Sequence, residues 1–241
     1  MEHDFTSGSV WKKLLLFAVP IFGANLLQAL YGTVDLFVVG LFADASAVSA
    51  VSTGSMMMQT ITGIITGLTM GCTVLLGQNI GKKDEAAAER TVGSALWLFV
   101  TVGILLAAIV AVLAVGIASV INAPAEAFSQ TTDYIRICGI GIICIVMFNA
   151  IGRMFRGLGD ARTPLALMGV VCVVNIAADF ALVGALKMGV AGAALATVAV
   201  QGILSTFLVR IPVSYAMSKV SGSDLRHRLL LCLESFCVLP V

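Results

Sequence analysis

Two aspartates lie deep within long apolar segments of this chain, and they are the residues best placed to do chemistry. Asp35 occurs in YGTVDLFVVGLF and Asp179 in VVNIAADFALVG. A carboxylate in hydrocarbon is costly unless it is neutralised, paired or turned toward a water-filled cavity, so such residues commonly mark the path of an ion or a proton. The pair therefore predicts membrane transport.

The composition explains why these carboxylates are unusual. Hydrophobic residues make up 59% of the 241 residues and charged residues only 11%, whereas charged residues are about a quarter of a typical soluble domain. The chain is therefore predicted to be an integral membrane protein. Its formal net charge of +1 gives no indication of a nucleic-acid partner.

Apolar runs long enough to cross about 30 Å of hydrocarbon as helices occur along most of the chain. They lie approximately at 14–41, 47–76, 92–119, 134–155, 164–186 and 190–213. The runs are continuous rather than alternating, which argues against barrel strands. The predicted fold is an all-α membrane protein, a bundle of six transmembrane helices.

Basic residues concentrate in alternate connectors, which predicts the orientation. They fall before the first span, between the second and third, between the fourth and fifth, and after the sixth: Lys12, Lys13, Lys82, Lys83, Arg90, Arg153, Arg156, Arg162, Arg210, Lys219, Arg226 and Arg228. The other connectors carry only Arg136 and Lys187. By the positive-inside rule, both termini are expected to be cytoplasmic. The predicted location is the cell membrane.

The same pattern divides the chain into three parts. Residues 1–13 form a cytoplasmic amino-terminal segment, 14–215 the six-helix lobe, and 216–241 a cytoplasmic tail. The apolar run Leu229–Val241 is too short to span. We read KKLLLFAVPIFGA as the start of the first membrane helix rather than a signal peptide, because five further spans follow.

Three spans bring polar side chains to one depth. At 1.5 Å per residue, Asp35 and Asp179 each lie about 10 Å from the outer ends of the first and fifth spans, and Thr197 lies about 12 Å into the sixth. Asn175 stands one turn from Asp179 on the same helix face. Hard oxygen ligands of this kind suit Na⁺ or the relay of a proton.

Further polar residues surround this level. Tyr31 and Gln28 lie on the face of Asp35, and Gln201 lies one turn beyond Thr197. Met57, in the run Met56–Gln59, is a candidate for the lining of a forgiving cavity or for ordinary core packing. The alternative for the aspartates is that each only bonds to a neighbouring helix and fixes packing.

Two backbone features bear on motion and packing. Pro20 falls within the first span, where proline removes a backbone hydrogen bond and favours either a fixed kink or a bend that responds to the charge on Asp35. Gly63, Gly67 and Gly71 recur at every fourth position, a ridge on which another helix can pack closely.

Enzymatic readings find little support. Gly157–Asp160 matches the G-x-G-D pattern of intramembrane aspartyl proteases, but Asp160 falls in a connector beside Arg156 and Arg162, where it is expected to pair with arginine. No C-x-x-C pair occurs, so a zinc or haem site is not indicated. The chain is predicted not to be an enzyme, with no catalytic residues and no cofactor.

Four segments together carry a family resemblance. LLLFAVPIFGANLLQALYGTVDLFVVG, GQNIGKKDEAAAERTVG, FRGLGDARTPLALMGVVCVVNIAADFALVG and MGVAGAALATVAVQ resemble the amino-terminal half of multidrug and toxic compound extrusion (MATE) transporters. The resemblance covers about residues 8–215. It implies two six-helix lobes around a cleft, and export of organic cations in exchange for H⁺ or Na⁺.

Position by position, the resemblance implies a cation site on this lobe and a moving helix. Asp35, Asn175, Asp179 and Thr197 match the amino-lobe cation site, with Na⁺ held at the two aspartates if Na⁺ is the coupling ion. Pro20 matches the family's bending proline on the first helix. The implied partners are a small organic cation, membrane lipid, and a second lobe or a second copy of this chain, with no nucleic acid.

The chain differs from the family in length, because it resembles one lobe of a twelve-helix transporter. Its tail SGSDLRHRLLLCLESFCVLPV does not resemble an approach to a seventh helix and predicts a truncated or frame-shifted product. The leading hypothesis is a cation-coupled multidrug antiporter represented by its amino-terminal lobe. The alternatives are a non-transporting remnant or assembly module, and a related lipid-linked oligosaccharide flippase.

Overall fold

A computed structural model of the protein describes residues 10–219. Its helices are α1 Val10–Phe42, α2 Ala45–Gly81, α3 Glu85–Val120, α4 Phe128–Ile140, α5 Ile142–Gly157, α6 Arg162–Asp179 and α7 Gly189–Lys219. A π-helical turn, Phe180–Ala185, extends α6. No strand occurs among the described residues, which confirms the all-helical prediction. The predicted segment 1–13 and the tail 216–241 lie largely outside the described residues.

The fourth predicted span is two helices rather than one. Helices α4 and α5 meet at Gly141 with a bend of 58°, and together they are apolar and long enough to form one broken span. A side chain on Gly141 would overlap Val198 of α7, so only glycine allows the helices to pass this closely. With this pair counted as one, the described chain has six candidate spans.

Side-chain caps hold the ends of α3 and α6. The Asp84 carboxylate accepts a hydrogen bond of 3.0 Å from the amide of Ala87. The Asp160 carboxylate accepts bonds of 3.0 and 3.1 Å from the amides of Arg162 and Thr163, and one of 2.7 Å from the Thr163 hydroxyl. Such caps satisfy amides that the helix itself leaves without partners. The predicted pairing of Asp160 with arginine is therefore replaced by a capping role.

The core is built mainly from α2, α3, α4 and α5. Phe99, Ile135, Val146 and Phe155 are almost completely buried there. Helix α1 packs mainly against α6 and is far more exposed than the other helices. Only 6% of the residues in its apolar 18-residue stretch are buried, against 50% of residues 189–206 in α7. Helix α1 is thus the least enclosed element, although it carries Asp35.

The glycine ridge on α2 is open. A methyl group added at Gly63, Gly67 or Gly71 would meet nothing within 4 Å. The expectation that another helix packs on this ridge is therefore wrong for the described part of the chain. The ridge faces outward and remains available to lipid or protein.

Candidate functional site

Helix α1 brings Asp35 to the centre of the candidate site. Asp35 is only 4% exposed, and Tyr31 stands one turn before it on the same face. The helix ends at Phe42, seven residues after Asp35, which places the carboxyl group about 10 Å from that end. The depth expected from sequence therefore agrees with the helix boundary.

Helix α6 presents Asn175 and Asp179 one turn apart. Their side chains are 1% and 0% exposed. The π-helical turn Phe180–Ala185 begins directly after Asp179, and π-turns within helices often occur at functional sites. The carboxyl groups of Asp35 and Asp179 are close enough to act on one another electrostatically.

Helix α7 supplies the hydroxyl group of Thr197, and a hydrogen bond to α1 connects this hydroxyl to the site. The Tyr31 hydroxyl donates a hydrogen bond of 2.9 Å to Thr197 Oγ1. The bond links residues 166 positions apart in the sequence. Asp35, Asn175, Asp179 and Thr197 thus come from three helices that meet at one depth, with Tyr31 joining two of them.

Most of the polar atoms in this cluster have no protein partner. Asp35 Oδ1, both carboxylate oxygens of Asp179 and both amide atoms of Asn175 are buried without a hydrogen bond among the described residues. Burying a polar group without a partner costs free energy, and burying a charge without one costs more. Two adjacent carboxylates cannot both remain charged here unless a cation compensates them, and without a cation at least one of them takes up a proton.

The donor atoms suit a hard monovalent cation or a proton. Two carboxylates, an amide oxygen and a hydroxyl are all oxygen ligands, the type that hard cations prefer. Among the described residues, no group of three or more His, Cys, Asp or Glu side chains is placed to hold a metal ion. With its two carboxylates, the cluster can neutralise one or two positive charges.

Tyr134 belongs to the same neighbourhood, although the sequence did not indicate it. It is 3% exposed on α4 and lies near enough to Asp35 and Tyr31 for electrostatic interaction. Its ring fits against α2 at Gly54, where a side chain would come within 3.1 Å of the ring carbons Cγ and Cε1. Tyr134 was missed because the fourth span was predicted to begin at 134, whereas α4 begins at Phe128. That start places Tyr134 about 9 Å inside, level with the aspartates.

The remaining predicted residues are spread over the lobe. Gln201 is half-buried one turn beyond Thr197, and its Oε1 has no partner among the described residues. Gln28 lines a different cavity, beside Arg153 of α5. Met57 lines an apolar groove against Ile117 and other residues of α3. Helix α1 runs unbroken through Pro20, fifteen residues before Asp35.

The long apolar helices and the buried carboxyl cluster define a polytopic membrane protein with the character of a transporter. A model of the MatE family matches residues 20–181. The chain therefore belongs to the MATE family. This family consists of transporters rather than enzymes, in agreement with the prediction that the chain is not an enzyme.

Curated relatives are named as multidrug resistance proteins. The chain is 30% identical to the probable multidrug resistance protein YpnP of Bacillus subtilis, over 83% of this chain and 45% of that protein. It is 29% identical to the probable multidrug resistance protein NorM of Thermotoga maritima, over 90% of this chain and 47% of that protein. The chain thus spans less than half the length of the relatives it matches.

Solved structures show the same fold. A MOP superfamily transporter from Pyrococcus furiosus superposes with a TM-score of 0.76 at 25% identity, over 82% of this chain and 44% of that one. That transporter is described as having a binding pocket of reverse polarity, which suggests a different function for it. The six-span bundle therefore resembles one lobe of a MATE transporter, as predicted.

Proposed function

We propose that this chain is the amino-terminal lobe of a cation-coupled multidrug antiporter in the cell membrane. The observation that carries the proposal is the buried pair Asp35 and Asp179, of which Asp35 Oδ1 and both carboxyl oxygens of Asp179 lack a hydrogen-bond partner among the described residues. The names of the curated relatives support multidrug export as the activity. Asn175 and Thr197 complete the set of oxygens around the coupling ion, which is H⁺ or Na⁺.

The proposed mechanism rests on competition for negative charge. A proton or Na⁺ bound between the two carboxyl groups neutralises one of their two negative charges and so lowers the cost of burying them. An organic cation is attracted to the same charge once the coupling ion has left. Exchange follows because the two ligands oppose each other's binding, and an opposing effect of this kind is reciprocal.

Helix α1 is the element proposed to move. It carries Asp35, is the most exposed helix of the bundle, and contains Pro20. A bound cation shifts a conformational equilibrium only if it binds one conformation more tightly. Bending at Pro20 would supply that difference by changing how completely Asp35 is buried.

The orientation is proposed from charge. Lys82 and Lys83 lie between α2 and α3, and Arg162 begins α6 at the same end of the bundle, because successive spans are antiparallel. The positive-inside rule assigns this end to the cytoplasm. Asp35 and Asp179 then lie nearer the outer face.

Flux measurements test the proposal. The purified chain is reconstituted into liposomes, and uptake of the fluorescent cation ethidium is followed after imposing a pH gradient or a Na⁺ gradient. We expect gradient-dependent uptake that Asp179→Asn abolishes and Asp160→Asn leaves intact. Cation binding without any flux would favour the alternative of a non-transporting module. Equal loss in both variants would remove the cluster from the mechanism.

A further inference from the structure

Two arginines near the end of α5 are partly buried, away from the carboxyl cluster. Arg153 and Arg156 are three residues apart, which places them on one side of the helix, and both are partly buried. Their guanidinium groups are close enough to repel each other. Two like charges at this spacing in a membrane helix are costly unless something compensates them.

The protein satisfies these arginines only in part. Arg153 Nη2 donates a hydrogen bond of 2.7 Å to Thr66 Oγ1 of α2. Arg156 Nε is buried without a hydrogen-bond partner among the described residues. Thr66 is neutral, so the pair keeps its full positive charge.

A cavity of about 40 Å³ opens beside the two guanidinium groups, between α1, α5 and α6. Gln28 and Asn149 contribute polar groups to it, and no carboxylate lines it among the described residues. A volume of this kind holds several water-sized groups. Gly152 also lines the cavity, and a methyl group added there would meet nothing within 4 Å.

The depth of the cavity matches that of lipid headgroups. Helix α5 ends at Gly157, so Arg153 lies about 6 Å from the helix end and Arg156 closer still. Basic pockets between transmembrane helices at this level bind the phosphates of lipid headgroups. The guanidinium fork also matches the oxygens of a phosphate in geometry and charge.

We propose that the cavity between α1, α5 and α6 binds a phosphate oxyanion through Arg153 and Arg156. The oxyanion comes from the headgroup of an anionic phospholipid or from free phosphate. The site is distinct from the carboxyl cluster, since Gln28 lies seven residues from Asp35 along α1, a separation of about 10 Å. The lobe thus holds an anion site and a cation cluster on shared helices.

Thermal unfolding of the purified full chain in detergent tests the proposal, because a ligand that binds the folded state raises its unfolding temperature. The ligands are phosphatidylglycerol, zwitterionic phosphatidylcholine, and potassium phosphate against potassium chloride at equal ionic strength. Arg153→Gln and Arg156→Gln remove one charge each. Arg162→Gln is the matched control, since Arg162 is an exposed arginine at the same end of the bundle.

We expect phosphatidylglycerol to raise the unfolding temperature more than phosphatidylcholine does. Each of the two glutamine variants should need roughly tenfold more ligand for the same rise, the effect of losing one charge-assisted hydrogen bond. The control should respond like the unaltered chain. A response to potassium phosphate would show that free oxyanion suffices, and its absence would assign the site to the lipid headgroup.

Gly152→Leu provides a variant that keeps both arginines. The leucine side chain would fill the cavity without touching a neighbour at Cβ, and leucine favours the helix more than glycine does. This variant should fold and should lose the response to phosphatidylglycerol. An unchanged response in Gly152→Leu, or equal responses in Arg156→Gln and Arg162→Gln, would overturn the proposal, as would the absence of any response in the unaltered chain.

Discussion

The carboxyl cluster and the arginine cavity share helices α1 and α6 but differ in depth and enclosure. Asp179 is fully buried and both its oxygens lack partners among the described residues, whereas Arg153 is partly exposed and bonded to Thr66. Short carboxylates cannot reach the membrane surface, while long arginine side chains near a helix end can extend toward it. The depth of a charge therefore decides whether it requires a ligand at the centre of the lobe or at its rim.

The comparison between the two sites first depends on which end of the bundle faces the cytoplasm. Single cysteines at Lys83 and Arg162 should be labelled by impermeant reagents only from the cytoplasm, and one at Ala125 only from outside. The background must lack the six native cysteines. This is the largest expected effect, because accessibility is all-or-none. Labelling of all three positions from one side would contradict the six-span topology.

Charge removal at the cluster should have the next largest effect. Asp179→Asn keeps the shape of the side chain but leaves Asp35 without its partner, so affinity for Na⁺ or H⁺ should fall by about a hundredfold or more, equivalent to a few kcal/mol. Cation-dependent unfolding temperature measures this loss. Asp160→Asn is the matched control in a connector. Equal effects in the two variants would show that depth does not matter.

Removal of the proline on α1 tests whether the two sites are joined by motion. Pro20→Ala restores a backbone amide and should straighten any bend. A cysteine at Gln28, in the arginine cavity, reports accessibility as pH and Na⁺ change. We expect the cation response of its labelling rate to fall toward none while the fold remains. If the response persists unchanged, α1 is a passive wall.

The hydrogen bond between α1 and α7 should have a smaller effect. Tyr31→Phe removes the donor to Thr197 Oγ1, and loss of one such bond costs about 1 kcal/mol, or roughly fivefold in cation affinity. Thr101→Val is a suitable control, because Thr101 is exposed and bonds to its own helix at Trp97 O. If Tyr31→Phe binds cations normally, the bond only fixes packing.

The smallest expected effect is at the start of α6. Asp160→Ala removes a helix cap and should lower the free energy of unfolding by about 1 kcal/mol, with cation affinity unchanged. Asp160→Asn retains an acceptor oxygen and should be nearly neutral. Chemical denaturation in micelles measures the difference. A change in cation affinity with Asp160→Ala would mean that the cap also positions Asp179.

Sequence reasoning predicted the spans well because hydropathy depends on composition rather than on contacts. It also placed Asp35, Asp179 and Thr197 at one depth, since helical rise is constant. It missed the bend at Gly141, because glycine is common in membrane helices and only the overlap with Val198 shows why glycine is needed there.

The other misses have equally local causes. Tyr134 was lost through an error in one span boundary, which no hydropathy pattern fixes to the residue. Met57, which the sequence left open between cavity lining and core packing, lines an apolar groove against α3. Asp160 binds backbone amides within the next turn of the chain. The sequence shows only the nearby arginine side chains, so it pointed to an ion pair instead.

The contact between Gly141 and Val198 limits which substitutions the two positions can accept during evolution. Val198 follows Thr197 directly, so any residue that pushes α7 away from Gly141 also shifts the Thr197 hydroxyl relative to Tyr31. Positions 141 and 198 are therefore expected to change together among descendants of this sequence, a larger residue at one requiring a smaller residue at the other. Substitutions at Gly141 and Val198, which have no chemical role themselves, are therefore limited by the need to keep the Thr197 hydroxyl in place.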